Sequence, residues 1–388
     1  MKIIKFLKMF ENVDYIIVGA GFYGAVLAER LTNDLQKKVL VIDKNYHVGG
    51  HCYSEIESQT GIEYHKYGTH IFHTSNKKVY DYLTRFCNFN SYRHQVLITH
   101  KGLVYQMPIN LETINCFFNI NLKPYEVEEF LNEKKIKNNN PKNFEEFAIS
   151  NIGIELYNAF IKGYTQKQWG IDPKLLPSNI FKRLPIRKNY NENYFFDTWQ
   201  GIPQNDFTDI FNKLLNNKNI ILLLNTNYFD IRNQIDPKIK LIYSGPIDKF
   251  FDYCYGKLEW RSLYFKQEII SVDDYQGTSV MNYADVEIPF TRIHEPKHLH
   301  IEREKIFNSH STLIIKEYAT TNNDPYYPIE NSINKNIFQK YKDKAAQTNN
   351  LIIGGRLGDY KYYDMHNVIE KALEMYDKIK EYGTRTIK

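Results

Sequence analysis

The stretch Tyr15-Ile16-Ile17-Val18-Gly19-Ala20-Gly21-Phe22-Tyr23-Gly24 leaves this chain few folds to choose from. A strand-like apolar run flows into Gly-x-Gly-x-x-Gly, and a helix-like segment follows from Ala25 to about Thr32. A second apolar run, Val39 to Ile42, then ends on Asp43. Gly19 allows the tight turn, Gly21 lets backbone approach a pyrophosphate, and Gly24 lets the helix close on the strand. The first amides of the helix then point at the phosphates. Asp43 falls 24 residues after Gly19, near the roughly 20 at which an acid meets a ribose. Strand, glycine turn, helix, strand and acid in this order predict a βαβ unit that binds a dinucleotide.

Gly49-Gly50 follows six and seven residues past the acid and marks a second close approach of backbone. NAD enzymes seldom carry such a pair and FAD proteins often do, so FAD is the expected dinucleotide. Hydrophobic residues make up 43% of the 388, enough for a sizeable core of two or three units. The net charge of +5 suits an anionic small molecule and lacks the basic tract of a nucleic-acid binder. Four cysteines without Cys-x-x-Cys spacing read as free thiols in a reducing compartment. No run of 18 apolar residues occurs, so no spanning helix and a cytoplasmic location are expected.

Along the chain, Val79 to Phe86 is helical, and Val96 to Met107 reads as two strands turning at Lys101-Gly102. Pro108 to about Lys182 is mostly helical, with Asn143 placed to cap a helix from Phe144. Phe207 to Leu215 is a helix, Ile220 to Leu224 a buried strand, and Lys240 to Tyr243 a strand ending at Gly245. Tyr264 to Glu317 alternates like an antiparallel sheet, and Leu351 to Ile353 with a helix from Val368 closes the chain. The predicted fold is α/β: a Rossmann-type FAD-binding domain with an inserted helical domain and an inserted antiparallel-sheet domain. The expected divisions are 13–76 with 203–255 and 340–388 for the cofactor, 108–182 for the helical block, and 77–107 with 183–202 and 256–339 for the sheet.

Neither His65, His70 and His73 nor His294, His298 and His300 has metal-ligand spacing, so no metal is expected. His70 and His73 follow the Gly-Gly turn closely enough to contact flavin or substrate, and a structural role is as compatible with His70. No Gly-x-Ser-x-Gly elbow or Cys-His pair offers a nucleophile, so a cofactor should carry the chemistry. Arginine is sparse, and Arg183 with Arg187, Arg292, and Arg356 come from three separate segments. Two such guanidinium forks could clamp a diphosphate.

Several strings together are highly specific. They are Lys162-Gly163-Tyr164-Thr165-Gln166-Lys167-Gln168-Trp169-Gly170, His70-Ile71-Phe72-His73-Thr74, Tyr243-Ser244-Gly245-Pro246-Ile247-Asp248 and Asp324-Pro325-Tyr326-Tyr327-Pro328. Gly354-Gly355-Arg356-Leu357, leading to Tyr362-Tyr363-Asp364-Met365-His366, completes the set. In this order, from about residue 13 to the C-terminus, the chain resembles the UDP-galactopyranose mutases.

The resemblance implies an FAD isomerase that interconverts the pyranose and furanose forms of UDP-galactose for cell-surface glycans, with no net redox change. In that family N5 of the reduced flavin forms a covalent adduct at the anomeric carbon as UDP leaves, and UDP returns after the ring recloses. By the same resemblance Arg183 and Arg292 hold the diphosphate, Arg183 from a closing loop. Phe160, Tyr164, Thr165 and Trp169 line the uridine side, Asn282 meets nucleotide or sugar, and Tyr194, Tyr327 and Tyr362 bond phosphate oxygens. Arg356 meets the FAD pyrophosphate, Asp43 the ribose, Asp364 and Met365 the region near the ring, and His73 the isoalloxazine. A homodimer and a cellular reductant are also implied.

Two positions depart from the family pattern: Asp43 stands for a glutamate and His51 for an asparagine, which bears on FAD contacts there. His73 leans towards galactose over N-acetylgalactosamine. An amine or alcohol oxidoreductase would share the glycine motifs and leave the tyrosine-arginine set without a purpose. A non-catalytic nucleotide-sugar binder would need no reducible flavin.

Overall fold

In the computed structural model, which describes residues 13–178, 180 and 186–385 (382–385 by backbone alone), Tyr15–Val18 is the middle of a five-stranded sheet. The order is Leu351–Ile353, Lys240–Tyr243, Tyr15–Val18, Val39–Ile42, Ile220–Leu223, and every pairing is parallel. All four residues of Val39–Ile42 are buried, as a strand covered on both faces requires. Each such side chain contributes about 1.5–3 kcal/mol relative to exposure. The chain leaves Tyr15–Val18 towards Val39–Ile42 on one side, and the later strand Lys240–Tyr243 fills the other. The sheet therefore switches direction beside Gly19, where α/β sheets open a ligand crevice at their C-terminal strand ends.

The helix begins at Phe22, three residues ahead of the sequence expectation, and runs to Asn33. It packs against the helices Phe207–Leu215 and Met365–Arg385, so the two ends of the chain share one core. Its buried Glu29 is paid for by Arg30, by the Tyr82 hydroxyl at 2.8 Å and by Asn33 at 2.8 Å. The strand Ile220–Leu223 corrects the sequence reading. It is an edge strand with partly exposed side chains, Leu222 at 39%, because a neighbour covers it on one side only.

A seven-stranded sheet holds Tyr327–Pro328, Trp260–Ile270, Thr312–Thr320, Arg292–His294, Val280–Tyr283, Val96–His100 and Leu103–Met107, in that order. Its pairings are antiparallel except Val280–Tyr283 with Val96–His100. Lys101 and Gly102 both have positive φ, the backbone of a tight two-residue hairpin turn. Beside this sheet lie Leu111–Phe118, Val127–Lys134 and Phe144–Leu156. The Asn143 side chain caps the last of these, accepting the Glu146 N–H at 2.9 Å.

Two features of this block were not legible in the sequence. Gly153, at φ 82°, interrupts the helix, and Tyr157–Lys162 is a π-helical turn that continues into the helix Gly163–Trp169. Such wide turns concentrate at functional sites. A third unread element is the helix Ser332–Ala346, capped by Asn331. Among the described residues no helix is long and apolar enough to cross a membrane.

Candidate functional site

One cavity of about 1630 Å³ runs from the glycine turn, past the histidines, to the helix Gly163–Trp169. That exceeds the roughly 300–1,000 Å³ of a single small-ligand pocket. It has room for a dinucleotide and a second large ligand end to end.

At the glycine end, Gly19 sits at φ +106°, and a Cβ on Gly24 would overlap the Gly19 carbonyl oxygen. Gly24 thus serves packing and does not line the cavity, whereas Gly19 and Gly21 do. The helix Phe22–Asn33 starts at Gly21 with no side-chain cap and no acid in its first turn. Its free N–H groups and dipole are left for an anion. Gly49 and Gly50 have positive φ, and a Cβ on Gly50 would lie 3.5 Å from the Cα of Gly21. Buried Asp43 accepts the Ala20 N–H at 2.7 Å on one oxygen and the Asn45 N–H at 2.8 Å on the other. A carboxylate accepts about four hydrogen bonds, so each oxygen keeps a lone pair for a ribose hydroxyl. The cradle fits a dinucleotide.

Arg356 closes this part. It donates to the Tyr326 carbonyl, to the Pro325 carbonyl at 3.2 Å and to His51 Nδ1 at 3.0 Å. Arginine has no acceptor, so Nδ1 of His51 carries the lone pair and its proton sits on Nε2. The His51 ring stacks on Tyr67 at 5.0 Å and tilts against Tyr326 at 4.3 Å. Burial, then the Arg356 charge, pulls its pKa well below the usual imidazole value. Histidine here buttresses the arginine.

In the middle, His70 gives its Nδ1 proton to the Gly68 carbonyl at 2.7 Å, and burial pulls its pKa to about 4. His73 pairs through Nδ1 with Asp197 at 2.7 Å and stacks on Phe195 at 3.6 Å. The His366 ring stands edge-on to it at 4.8 Å. Asp364 and Met365, at the start of the last helix, complete this wall. His73, Asp364 and His366 bring their ligand-type atoms within 4.8 Å of one another, a grouping that sequence spacing did not suggest.

At the far end, Arg292 donates to the Tyr164 hydroxyl, and its Nε lies 3.3 Å from Glu317 Oε1. Tyr327 stacks with Tyr362 at 5.8 Å and leans on Trp169 at 6.3 Å. Tyr194 sits edge-on to His94 at 5.3 Å, while Phe160 and Thr165 are buried in the wall. Asn282, directly across the strand pair from Arg292, has a buried Oδ1 with no partner among the described residues. Gln168 was missed by the sequence reading. It lines the cavity with an Oε1 equally unpartnered among the described residues, and it lies four residues past Tyr164 on the same helix face. Asp197, His94 and Glu317 were also unread, since each acts through a partner distant in sequence. Arg183 lies outside the described residues, and Arg187 does not line the cavity, its guanidinium donating instead to the backbone carbonyls of Asn193 and Tyr194; the other expected site residues, Gly24 excepted, line this one cavity.

A family model described as UDP-galactopyranose mutase matches residues 159–362, and one for an NAD(P)-binding Rossmann-like domain matches 17–86. A probable UDP-galactopyranose mutase of Klebsiella pneumoniae is 39% identical over 373 residues, covering 95% of each chain. A dTDP-fucopyranose mutase of Escherichia coli is 38% identical over 367 residues, 92% of this chain and 96% of that one. The crystal structure of a reduced UDP-galactopyranose mutase superposes with a TM-score of 0.70 over 95% of this chain and 96% of that one, at 15% identity. The last likeness speaks to the fold alone.

Proposed function

The chain belongs to the UDP-galactopyranose mutase family of isomerases, and from that premise we propose that it converts a nucleoside-diphosphate hexose between its pyranose and furanose rings, with UDP-galactose as substrate and FAD as cofactor. The observation that carries this reading is the single cavity with a dinucleotide cradle at one end and the Arg292–Tyr164–Tyr327 cluster at the other. When bound and reduced, FAD supplies a nucleophilic N5, which suits a site where, among the described residues, no side chain is an activated nucleophile.

The chain's own residues then have three tasks. Gly19, Gly21, Gly49 and Gly50 hold backbone open for the dinucleotide, with Asp43 on its ribose and Arg356 on its pyrophosphate. His70, Asp364 and Met365 border the ring, and His73, fixed by Asp197, presents its other edge there. Arg292, with Arg183, binds the diphosphate as charge collects on it, and fixed cations aimed at developing charge lower the barrier. Tyr194, Tyr327 and Tyr362 each donate one bond to phosphate without adding charge. Phe160, Tyr164, Thr165 and Trp169 wall the nucleoside, and Asn282 offers its free oxygen to nucleotide or sugar.

A second reading is favoured by the dTDP-fucopyranose mutase relative: the same ring contraction on a thymidine-linked 6-deoxy sugar. The test is product analysis with purified, reduced protein given UDP-galactopyranose and dTDP-fucopyranose in parallel. Conversion of the first alone supports the main reading, and of the second alone the other. Conversion of neither rejects both. The role in surface glycans, a cytoplasmic location and a homodimer belong to the same proposal.

A further inference from the structure

Within Lys162-Gly163-Tyr164-Thr165-Gln166-Lys167-Gln168-Trp169, two residues without a ligand role face one stretch of backbone. A Cβ on Gly163 would overlap the Ala284 carbonyl oxygen, so only glycine lets the helix lie this close. One turn further, Lys167 Nζ donates to the carbonyls of Tyr283 at 2.7 Å, Asp285 at 2.8 Å, Ile288 at 3.0 Å and Phe290 at 3.0 Å. An ammonium has three N–H groups, so four carbonyls saturate it, one proton being shared. Among the described residues no carboxylate joins them: the Asp285 side chain is taken by His100 at 2.7 Å and the Lys101 N–H at 2.8 Å.

The four carbonyls line the connection between Asn282 and Arg292, the residues at its two ends. Arg292 then returns to the same helix through Tyr164. The connection and the helix are joined at Gly163, Tyr164 and Lys167, and the lysine is the joint that folds the intervening backbone.

We propose that Lys167 is a positioning residue for the nucleoside-diphosphate end of the site: its ammonium folds residues 284–291 against the helix, setting Arg292 and Asn282 opposite Tyr164 and Trp169 before ligand arrives. This rests on the reading of that end given under Proposed function. Burial pulls the ammonium's pKa down to about 8, and the nearby carboxylates of Asp285 and Glu287 oppose it. The other charged or titratable groups around it include His100, bound to Asp285, Arg261, which donates to the Lys167 carbonyl at 3.5 Å, and Tyr283, whose phenol burial pushes up to about 12. Losing the proton removes one donor and turns a lone pair onto carbonyl oxygen.

The test measures UDP and thymidine diphosphate binding to flavin-loaded protein by calorimetry. Lys167→Met, similar in shape and without donors, is expected to weaken the preferred ligand by about tenfold or more, as misplacement of binding groups does, with flavin content unchanged. Unchanged affinity in that variant overturns the proposal, even if its melting temperature drops. Should Lys167→Met not fold, Lys167→Arg decides. Wild-type affinity falling from about pH 7 to 9 against a flat profile for the permanently charged arginine supports the proposal, and parallel profiles overturn it. Wild-type protein that binds neither nucleotide would instead reject the functional reading itself.

Discussion

Arg292 and Glu317 are register partners across adjacent antiparallel strands, and the arginine Nε stands 3.3 Å from the carboxylate. Glu317 is anchored behind it, accepting the Thr291 hydroxyl at 2.9 Å and the His294 Nε2–H at 3.2 Å. His294 is in turn oriented by the Thr69 hydroxyl at 2.7 Å. A chain of four side chains thus fixes one guanidinium against the cavity wall, leaving its remaining N–H groups for an anion. A charge held this way need not reorganise when the ligand's charge develops.

Replacing Glu317 with Gln keeps the shape and removes the charge. We expect destabilisation of about 2–3 kcal/mol, below the ~3–5 for breaking a fully buried pair because the Arg292 side chain is 28% exposed. Urea denaturation of the flavin-loaded protein measures it. A loss below about 0.5 kcal/mol, the size of an ordinary surface change, would mean that the pair does not order this strand.

The same pair sets an acid limb. Burial alone would raise the Glu317 carboxyl, but the Arg292 charge and the bonds from His294 and Thr291 hold it down to about 2. A carboxylate depressed in the fold contributes stability that is complete above its unfolded value, near 4.5, and lost as pH falls through about 2. The stability gap between wild type and Glu317→Gln should therefore be flat from about pH 5 to 8 and close below about 4.5. A gap that varies between pH 5 and 8 would point to a different titrating group.

Gln168→Leu should separate folding from binding. Its Oε1 is buried without a partner among the described residues, so removing it relieves an orphan while a ligand donor loses its acceptor. We expect stability unchanged or higher and nucleotide-sugar affinity lower by about 1–1.5 kcal/mol, roughly five- to tenfold. Denaturation and calorimetry on the same preparation give both. Equal affinity would place Gln168 away from the ligand.

Gly24→Ala drives a methyl into the Gly19 carbonyl, and backbone cannot step aside as a side chain would. Overpacking of this kind costs about 1–3 kcal/mol, and the displaced turn should release flavin. Absorbance of the purified variant reads this directly; a full flavin complement would show that the turn tolerates the shift.

What the sequence made legible was local. The βαβ unit around Gly19, Gly21 and Gly24, the hairpin at Lys101-Gly102 and the Asn143 cap are each written within a few adjacent residues, and each is present. Juxtaposition was not legible. Asp197 meets His73 across 124 residues, and Lys167 binds carbonyls from 116 residues away. Neither spacing leaves a periodic trace. The edge position of Ile220–Leu223 was hidden because four apolar residues read alike at the centre or rim of a sheet. The helix Ser332–Ala346 was hidden by Asn334 and Asn336 in its first two turns, which weaken helix propensity while Asn331 supplies the cap. Gln168 alone was within reach, since its four-residue spacing from Tyr164 places both on one helix face.

The central claim is that ring isomerisation uses this cavity with a reduced flavin in it. The most direct measurement is conversion of a furanose nucleotide sugar, UDP-galactofuranose first and the dTDP-linked 6-deoxy sugar beside it, by the same FAD-loaded protein before and after dithionite, with the isomers separated by chromatography. The account predicts conversion to the pyranose only after reduction. Reduced, flavin-loaded protein that leaves both sugars unchanged would contradict it, as would equal rates in the oxidised state.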